Sequence, residues 1–364
     1  MKKPVRILHV IGGMNLGGAE VLCMNMYRNI DRNLFQFDFL VNRPGCFDEE
    51  IKKLGGRIYY IPALQKVGPL LYKKEVNNFF SEHNYQIIHS HLGQVSGKIL
   101  ELAKINNIPV RIAHSHTNSN KNNNILQRFY KSYLQKKINV NATHLLACSH
   151  EAAIWLYKEK SKDAKIVTNG IVTDDFKFSS NNRNDIRKRL QIDVETTVFG
   201  HVSRFNKVKN HLFLLKIFYW YNKINKDSKL ILIGDGEMRC KIEKKICKLN
   251  LKDNVILLGS IENPKLFYNV FDIFVFPSKY EGLGISLIEA QCNGLPCYTS
   301  KKVVSLECNV SGKVKFIPLK YGAKKWAEII LKENKKRFIK ELNIDEFDIK
   351  STVLQMMNIY SSKI

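Results

Sequence analysis

A chain of 364 residues with 45% hydrophobic and 25% charged side chains can bury two cores of ordinary domain size, which excludes a disordered or fibrous chain. Its net charge of +25 suits phosphates, nucleic acid or an anionic membrane face, although charge alone says nothing about fold. The eight cysteines form no C-x-x-C pair, which disfavours a zinc ribbon or a disulfide framework and suits reduced thiols in a cytoplasmic protein.

The first element, "VRILHVI" (5–11), reads as a buried strand. Lys2 and Lys3 before it resemble the start of a signal peptide, but Arg6 and His9 interrupt the run and glycines end it too soon. Nowhere does an apolar run approach the ~20 residues that a membrane span needs. "GGMNLGGAE" (12–20) follows and opens a helix. Further strands are predicted over 35–41, 56–62, 86–91, 110–116 and 144–149, with helices such as 96–107 between them. The polar, asparagine-rich stretch 173–190 reads as a linker. Strands resume at 197–203, 229–236, 254–260 and 273–278. After Cys297 the strand signal fades, and from Tyr321 the chain reads as helices. This alternation predicts an α/β fold of two Rossmann-like, doubly wound parallel sheets facing a cleft. The expected domains are 1–178 and 179–346, with a helix over about 347–364 returning to the first. Ligands of such sheets lie beyond the carboxyl ends of strands, so strand-ending residues carry the functional argument.

The glycines of 12–18 let the backbone approach a ligand at the mouth of a helix, where free N–H groups attract anions. Their spacing is not G-x-G-x-x-G, and Asp38 lies inside its strand, so a dinucleotide enzyme is disfavoured. Two H-x-H pairs, His89/His91 and His114/His116, end two strands. No nearby carboxylate completes a metal site around them, and contact with substrate hydroxyls or phosphate fits better. "GHVSRFNKVKNH" (200–211) sets Arg204, Lys207 and Lys209 after a strand, a cluster that suits a diphosphate. In "SKYEGLGISLIEA" (278–290), Gly282 and Gly284 free the backbone beside Glu281, and a helix is expected to start near Ile285. Ser286 and Glu289 are spaced as a capping box. Alternatively, the helix start takes a phosphate, Glu281 lies beside the attached group and Glu289 reaches a pair of ribose hydroxyls. Aromatic residues fall mainly in apolar strands and helices, so nucleic acid is not the expected partner.

Over nearly its whole length the chain resembles the family 4 glycosyltransferases of GT-B architecture. The motifs that carry this are "GGMNLGGAE", "VRIAHSH", "TNGI" (168–171), "GHVSRFNKVKNH", "LILIGDGE" and "FPSKYEGLGISLIEAQCNGLP". "RIAHSH" and "GHVSRFNKVKNH" are most similar to the branch that builds bacterial capsular, exopolysaccharide or O-antigen units. The resemblance implies a retaining transfer from a nucleotide-diphosphate sugar, UDP- or GDP-linked, to a glycan or lipid-linked acceptor. It implies that Arg204 and Lys209 hold the diphosphate and that Glu289 binds the ribose. Glu281, with Gly282, Leu283, Gly284 and Ile285, would hold the sugar and distal phosphate. The histidine after the 110–113 strand, His114 or His116 with His116 favoured, would contact the transferred sugar, and Gly17 and Gly18 would lie near phosphate and acceptor. No metal and no cofactor are implied. A sugar epimerase or nucleotide-sugar-binding relative shares the fold, and the set of Glu281, Glu289, Arg204 and Lys209 argues against it. Finally, Ile125, Leu126, Phe129, Tyr130 and Leu134 follow helical spacing beside Arg128, Lys131, Lys136 and Lys137. That pattern suits either a helix on an anionic membrane face or one packed on the sheet.

Overall fold

In a computed structural model of the chain, the structure describes residues 3–116, 125–261, 263–281, 283–333, 336–338, 342 and 344–362, with the side chains of 125–127 left aside. The chain divides into two compact units, Met1–Ile171 with Asp345–Ile364, and Val172–Ile344.

The first unit alternates strand and helix: β1 (Val5–Val10), α1 (Gly18–Asn29), β2 (Phe35–Val41), α2 (Asp48–Lys53), β3 (Ile58–Tyr60), α3 (Leu64–Glu82), β4 (Ile87–Ser90), α4 (Ser96–Ile105), β5 (Val110–Ser115), α5 (Ile125–Asn141), β6 (His144–Ala147), α6 (His150–Tyr157) and β7 (Lys165–Ile166). Its sheet runs β3-β2-β1-β4-β5-β6-β7, all parallel. The strands are buried on both faces, which is why they read as continuous apolar runs rather than alternating ones. Asp38 is structural. It accepts Arg6 at 2.6 Å, the Tyr85 hydroxyl at 2.9 Å and the Arg57 amide at 2.8 Å.

The second unit comprises α7 (Ser180–Arg189), β8 (Thr197–Val202), α8 (His211–Ile224), β9 (Ser228–Ile233), α9 (Arg239–Lys248), β10 (Val255–Gly259), β11 (Ile273–Phe276), α10 (Ile285–Cys292), β12 (Cys297–Ser300), β13 (Lys315–Ile317) and α11 (Gly322–Lys332). Its sheet runs β10-β9-β8-β11-β12-β13. Both sheets share one winding, out from a central strand and then back past it. Each therefore has a switch point, between β1 and β4 in one and between β8 and β11 in the other. A last helix, α12 (Ile349–Ser361), belongs to the first unit. Its Thr352 hydroxyl donates to the Thr168 carbonyl at 3.2 Å, and Tyr360 packs edgewise on Phe37.

Three expectations are corrected. The stretch 173–190 is no open linker: Ser179 caps α7 by accepting the Asn182 amide at 3.3 Å, and α7 is fastened by Arg183 and Arg187 to Asp272 at 2.6 and 2.7 Å. Polarity on that helix serves ion pairs rather than solvent. Beyond Cys297 two more strands form, both too short to show a period; β12 is wholly buried although half of it is polar. The helix from Tyr321 does not run on through the tail: α11 ends at Lys332. Arg337 then lies in non-helical chain and donates to the carbonyls of Asn293 and Asn269, each at 2.9 Å. Among the described residues, no helix is long and apolar enough to cross a membrane.

Candidate functional site

At the switch point of the first unit, parallel register does what the H-x-H spacing alone could not. His9 pairs with His89 across β1 and β4. Period two adds His91, and the neighbouring strand adds His114 and His116. The two expected pairs are thus one cluster of five rings. His9 Nδ1 lies 3.0 Å from His91 Nε2, His91 Nδ1 lies 2.8 Å from His116 Nε2, and His89 Nε2 lies 3.2 Å from His114 Nδ1. The Tyr360 hydroxyl closes the far end on His89 Nδ1 at 2.9 Å, and Cys23 of α1 sits 3.5 Å from His91 Nε2. Burial pushes His9 down to about 3 and His116 down to about 4, and holds the other three well below the ordinary imidazole range, so the rings are neutral. Two triads, His9–His89–His91 and His91–His114–His116, each bring three ring nitrogens within 4.8 Å of one another, close enough to share a metal ion. His114 has no exposed surface, whereas His116, just past the strand end, is partly open. Sequence reasoning missed His9 and Cys23. Neither stands near the other histidines in the chain, and the signal that finds them is strand register.

Gly17 is the residue before α1, and no side chain caps that helix. A Cβ on Gly18 would meet nothing within 4 Å, so packing does not demand glycine there and the open space can admit a ligand.

In the second unit, the loop after β8 is folded by Asn206, whose side-chain oxygen accepts the amides of Val208 and Lys209, both at 3.0 Å. Asn210, left-handed at φ 59, precedes α8 and donates to the Pro277 carbonyl at 3.0 Å, while the Lys279 amide donates to Val208 at 2.8 Å. The two strand ends at this switch point are thereby stitched together. The result brings Lys209 Nζ onto the Glu281 carboxylate and over the Phe276 ring, 4.8 Å from its centre. Arg204 is exposed and makes no ion pair among the described residues; Lys207 is exposed too. Behind the loop, His201 Nε2, the Ser203 hydroxyl and His211 Nε2 form a chain with steps of 2.7 and 3.2 Å. Burial pushes His201 down to about 4 and His211 down to about 2. These three support the loop, and no spacing in the sequence marked them out.

Gly284, at φ 67, is the residue before α10 and leaves that helix without a side-chain cap; the Leu287 amide donates back to the Gly284 carbonyl at 2.8 Å, and the N–H groups of Ile285 and Ser286 have no partner within the helix. Leu283 is held by the Cys308 thiol on its carbonyl, and Gly282 lies outside the described residues. The capping box is not formed. With the helix beginning at Ile285, Ser286 and Glu289 fall inside it, and the Glu289 carboxylate instead takes the hydroxyl of buried Tyr268. Burial raises Glu289 to about 7, although the Tyr268 bond works the other way. The expected helix at 125–137 does form, but Leu134 is buried within the unit and Lys137 pairs with Glu101 at 2.8 Å. Phe129, Tyr130 and Tyr133 remain exposed beside exposed Arg128 and Lys136.

The chain matches two family models in succession: Glycosyltransferase Family 4 over residues 16–175 and Glycosyl transferases group 1 over residues 182–344. It is 35% identical to EpsF of Bacillus subtilis (strain 168), assigned as a glycosyltransferase, across 98% of this chain and 96% of that one. It is 28% identical to the capsular polysaccharide biosynthesis glycosyltransferase CapH of Staphylococcus aureus, across 99% of both chains. A UDP-Gal:α-D-GlcNAc-diphosphoundecaprenol α-1,3-galactosyltransferase of Escherichia coli is 23% identical over 81% of this chain and 79% of its own. Among solved structures, Anabaena Alr3699/HepE in complex with UDP and glucose superposes with a TM-score of 0.80 at 19% identity, covering 98% of this chain and all of that one.

Proposed function

The chain belongs to the family 4 glycosyltransferases of GT-B fold, and from that premise we propose that it transfers a sugar, with retention, from a UDP-sugar to a lipid-linked glycan of bacterial surface polysaccharide synthesis. One observation carries the assignment of the donor site. Lys209 and Glu281 meet at the carboxyl ends of β8 and β11, beside exposed Arg204 and the uncapped start of α10. A fork-shaped cation, a point cation and a helix start together neutralise a diphosphate. The transfer step then needs no metal, because these groups take over the charge that a divalent ion would otherwise carry. Glu281 is drawn from Lys209 toward the sugar when the diphosphate claims the lysine. Glu289 takes the ribose hydroxyls, and Gly17 and Gly18 serve phosphate and acceptor. Of the two candidate histidines, His116 suits sugar contact better than His114, since only His116 has exposed surface.

UDP is favoured over GDP by the UDP complexes of a neighbour that shares the fold, and a diphosphoundecaprenol-linked acceptor by the Escherichia coli relative. The exposed aromatic and basic face of α5 suits the cytoplasmic surface of an anionic membrane, where such an acceptor resides. Donor hydrolysis and transfer, followed by mass spectrometry with a panel of UDP- and GDP-sugars, tests the reading. Turnover of a UDP-sugar with an axial product anomer by NMR is expected, and Mg2+ or Mn2+ added to chelator-treated enzyme should not raise the rate. Failure to turn over any nucleotide sugar, with or without acceptor, would overturn it. Salt-sensitive sedimentation with anionic liposomes, lost in Phe129→Ser/Tyr133→Ser, tests the membrane face.

A further inference from the structure

We propose that His9, Cys23 and His91, with His89 as fourth ligand, form a binding site for a borderline divalent metal of the Zn2+ class behind the candidate sugar-contacting histidine. The argument is geometric. His9 Nδ1, His91 Nε2 and Cys23 Sγ form a triangle with edges of 3.0, 3.5 and 3.9 Å. A tetrahedral zinc ion with bonds of about 2.0 Å to nitrogen and about 2.3 Å to sulfur needs edges of about 3.3 Å between nitrogens and about 3.6 Å from nitrogen to sulfur. Movements of a few tenths of an ångström convert one set into the other. His89 brings a ring nitrogen within 4.8 Å of both other histidines, and as a ligand it exchanges its contact with Tyr360 or His114 for the ion. Two imidazoles and a thiol meeting around one point, on β1, α1 and the end of β4, are a soft donor set unsuited to Mg2+ or Ca2+ and well suited to Zn2+.

The site is buried, with Cys23 and His9 fully covered, and a cysteine binds a metal as its thiolate. Binding to the thiol therefore releases its proton: the metal–sulfur bond forms as the sulfur–hydrogen bond breaks, and one H+ leaves for each ion bound. Outside the ligand set, His91 Nδ1 faces His116 Nε2 at 2.8 Å. In the metal-free cluster a proton can sit on either of these two nitrogens. With the ion on His91 Nε2, the proton is confined to His91 Nδ1, which then donates to His116, and His116 keeps its own proton on Nδ1. The ion is thus a positioning element for His116 rather than a participant in transfer. That last consequence rests on the role proposed for His116; the metal site itself does not.

The experiment uses the full chain, freed of metal by a chelator and titrated with Co2+. One equivalent should develop the ligand-field bands of tetrahedral cobalt together with a thiolate-to-cobalt charge-transfer band, bleached by Zn2+, with one proton released per ion. Cys23→Ser should lose the charge-transfer band, and His9→Gln should weaken binding by more than about tenfold. Should either variant fail to fold, the exposed-cysteine variant Cys46→Ser/Cys240→Ser/Cys247→Ser decides the matter, because it must keep the band. Absence of the band in the wild type, its survival in folded Cys23→Ser, or its loss in the exposed-cysteine variant would overturn the site. None of these readouts depends on glycosyl transfer, so failure here is distinct from failure of the proposed activity. If the metal site holds, 15N imidazole shifts should report a single His116 tautomer only when Zn2+ is bound.

Discussion

Glu289 is a carboxylate placed where it titrates near neutrality. Burial raises its folded-state value to about 7, above the ordinary value of 4.5 for the unfolded chain. The stability this group contributes is therefore full below about pH 4.5 and is lost as pH rises through 7. Glu289→Gln should remove that dependence and stabilise the free protein at pH 8 by about 1–3 kcal/mol, read as a melting-temperature difference that vanishes at pH 4.5. Donor binding should run the opposite way. Only the ionised form accepts two ribose hydroxyls, so donor KM should fall as pH rises through 7 in the wild type and be high and flat in Glu289→Gln. A normal, pH-independent KM in the variant would remove the ribose role. Glu281 differs because its partner in the free protein is Lys209. Glu281→Gln should lower kcat more than it raises donor KM, since its charge faces positive charge developing on the sugar. Arg204→Ala and Lys209→Ala should each lose a charge-assisted phosphate contact of about 1.5–3 kcal/mol, roughly 10- to 100-fold in kcat/KM, with Lys207→Ala near wild type.

At the scale of elements, α7 shows how a helix with almost no apolar face holds its place. Asp272 receives Arg183 and Arg187 and also accepts the Val198 amide at 2.8 Å, tying α7 to the start of β8 and to the segment before β11. Arg187 further donates to the carbonyls of Asp193, Val194 and Thr196, between 2.8 and 3.1 Å. Asp272→Ala would leave two guanidiniums without their anion, and a loss of about 3–5 kcal/mol is expected in urea unfolding. A change below 1 kcal/mol would show that the carbonyls suffice. The same logic explains the loop that carries Lys209. Its shape comes from Asn206 and Asn210, small polar side chains that replace backbone partners, so the functional cations need no packing of their own.

For the whole molecule, the telling feature is that the last helix serves the first unit. Ile349, Val353, Met356, Ile359 and Tyr360 of α12 are buried there, and a Cβ on Gly170 would strike Thr352 and Ile349. A chain ending at residue 344 should therefore lose the calorimetric transition of the first unit and keep that of Val172–Ile344 within a few degrees. Retention of both transitions would show α12 to be dispensable.

Composition, period and motif were enough for the α/β class and for most strands of both sheets, and they put forward Arg204, Lys209, Glu281 and Glu289 as candidates, because each of these is a local property of chain and spacing. Tertiary structure decided the rest. Helix start and capping depend on the backbone angle at Gly284, so Glu289 turned out to face Tyr268 rather than an amide. β12 and β13 are held by neighbouring strands, not by their own pattern. The five histidines, Cys23 and Tyr360 come together through the register of three parallel strands, one helix and the end of the chain. No local pattern encodes that register. It follows from which strands pair and where, and that is settled only when the whole sheet buries its two faces.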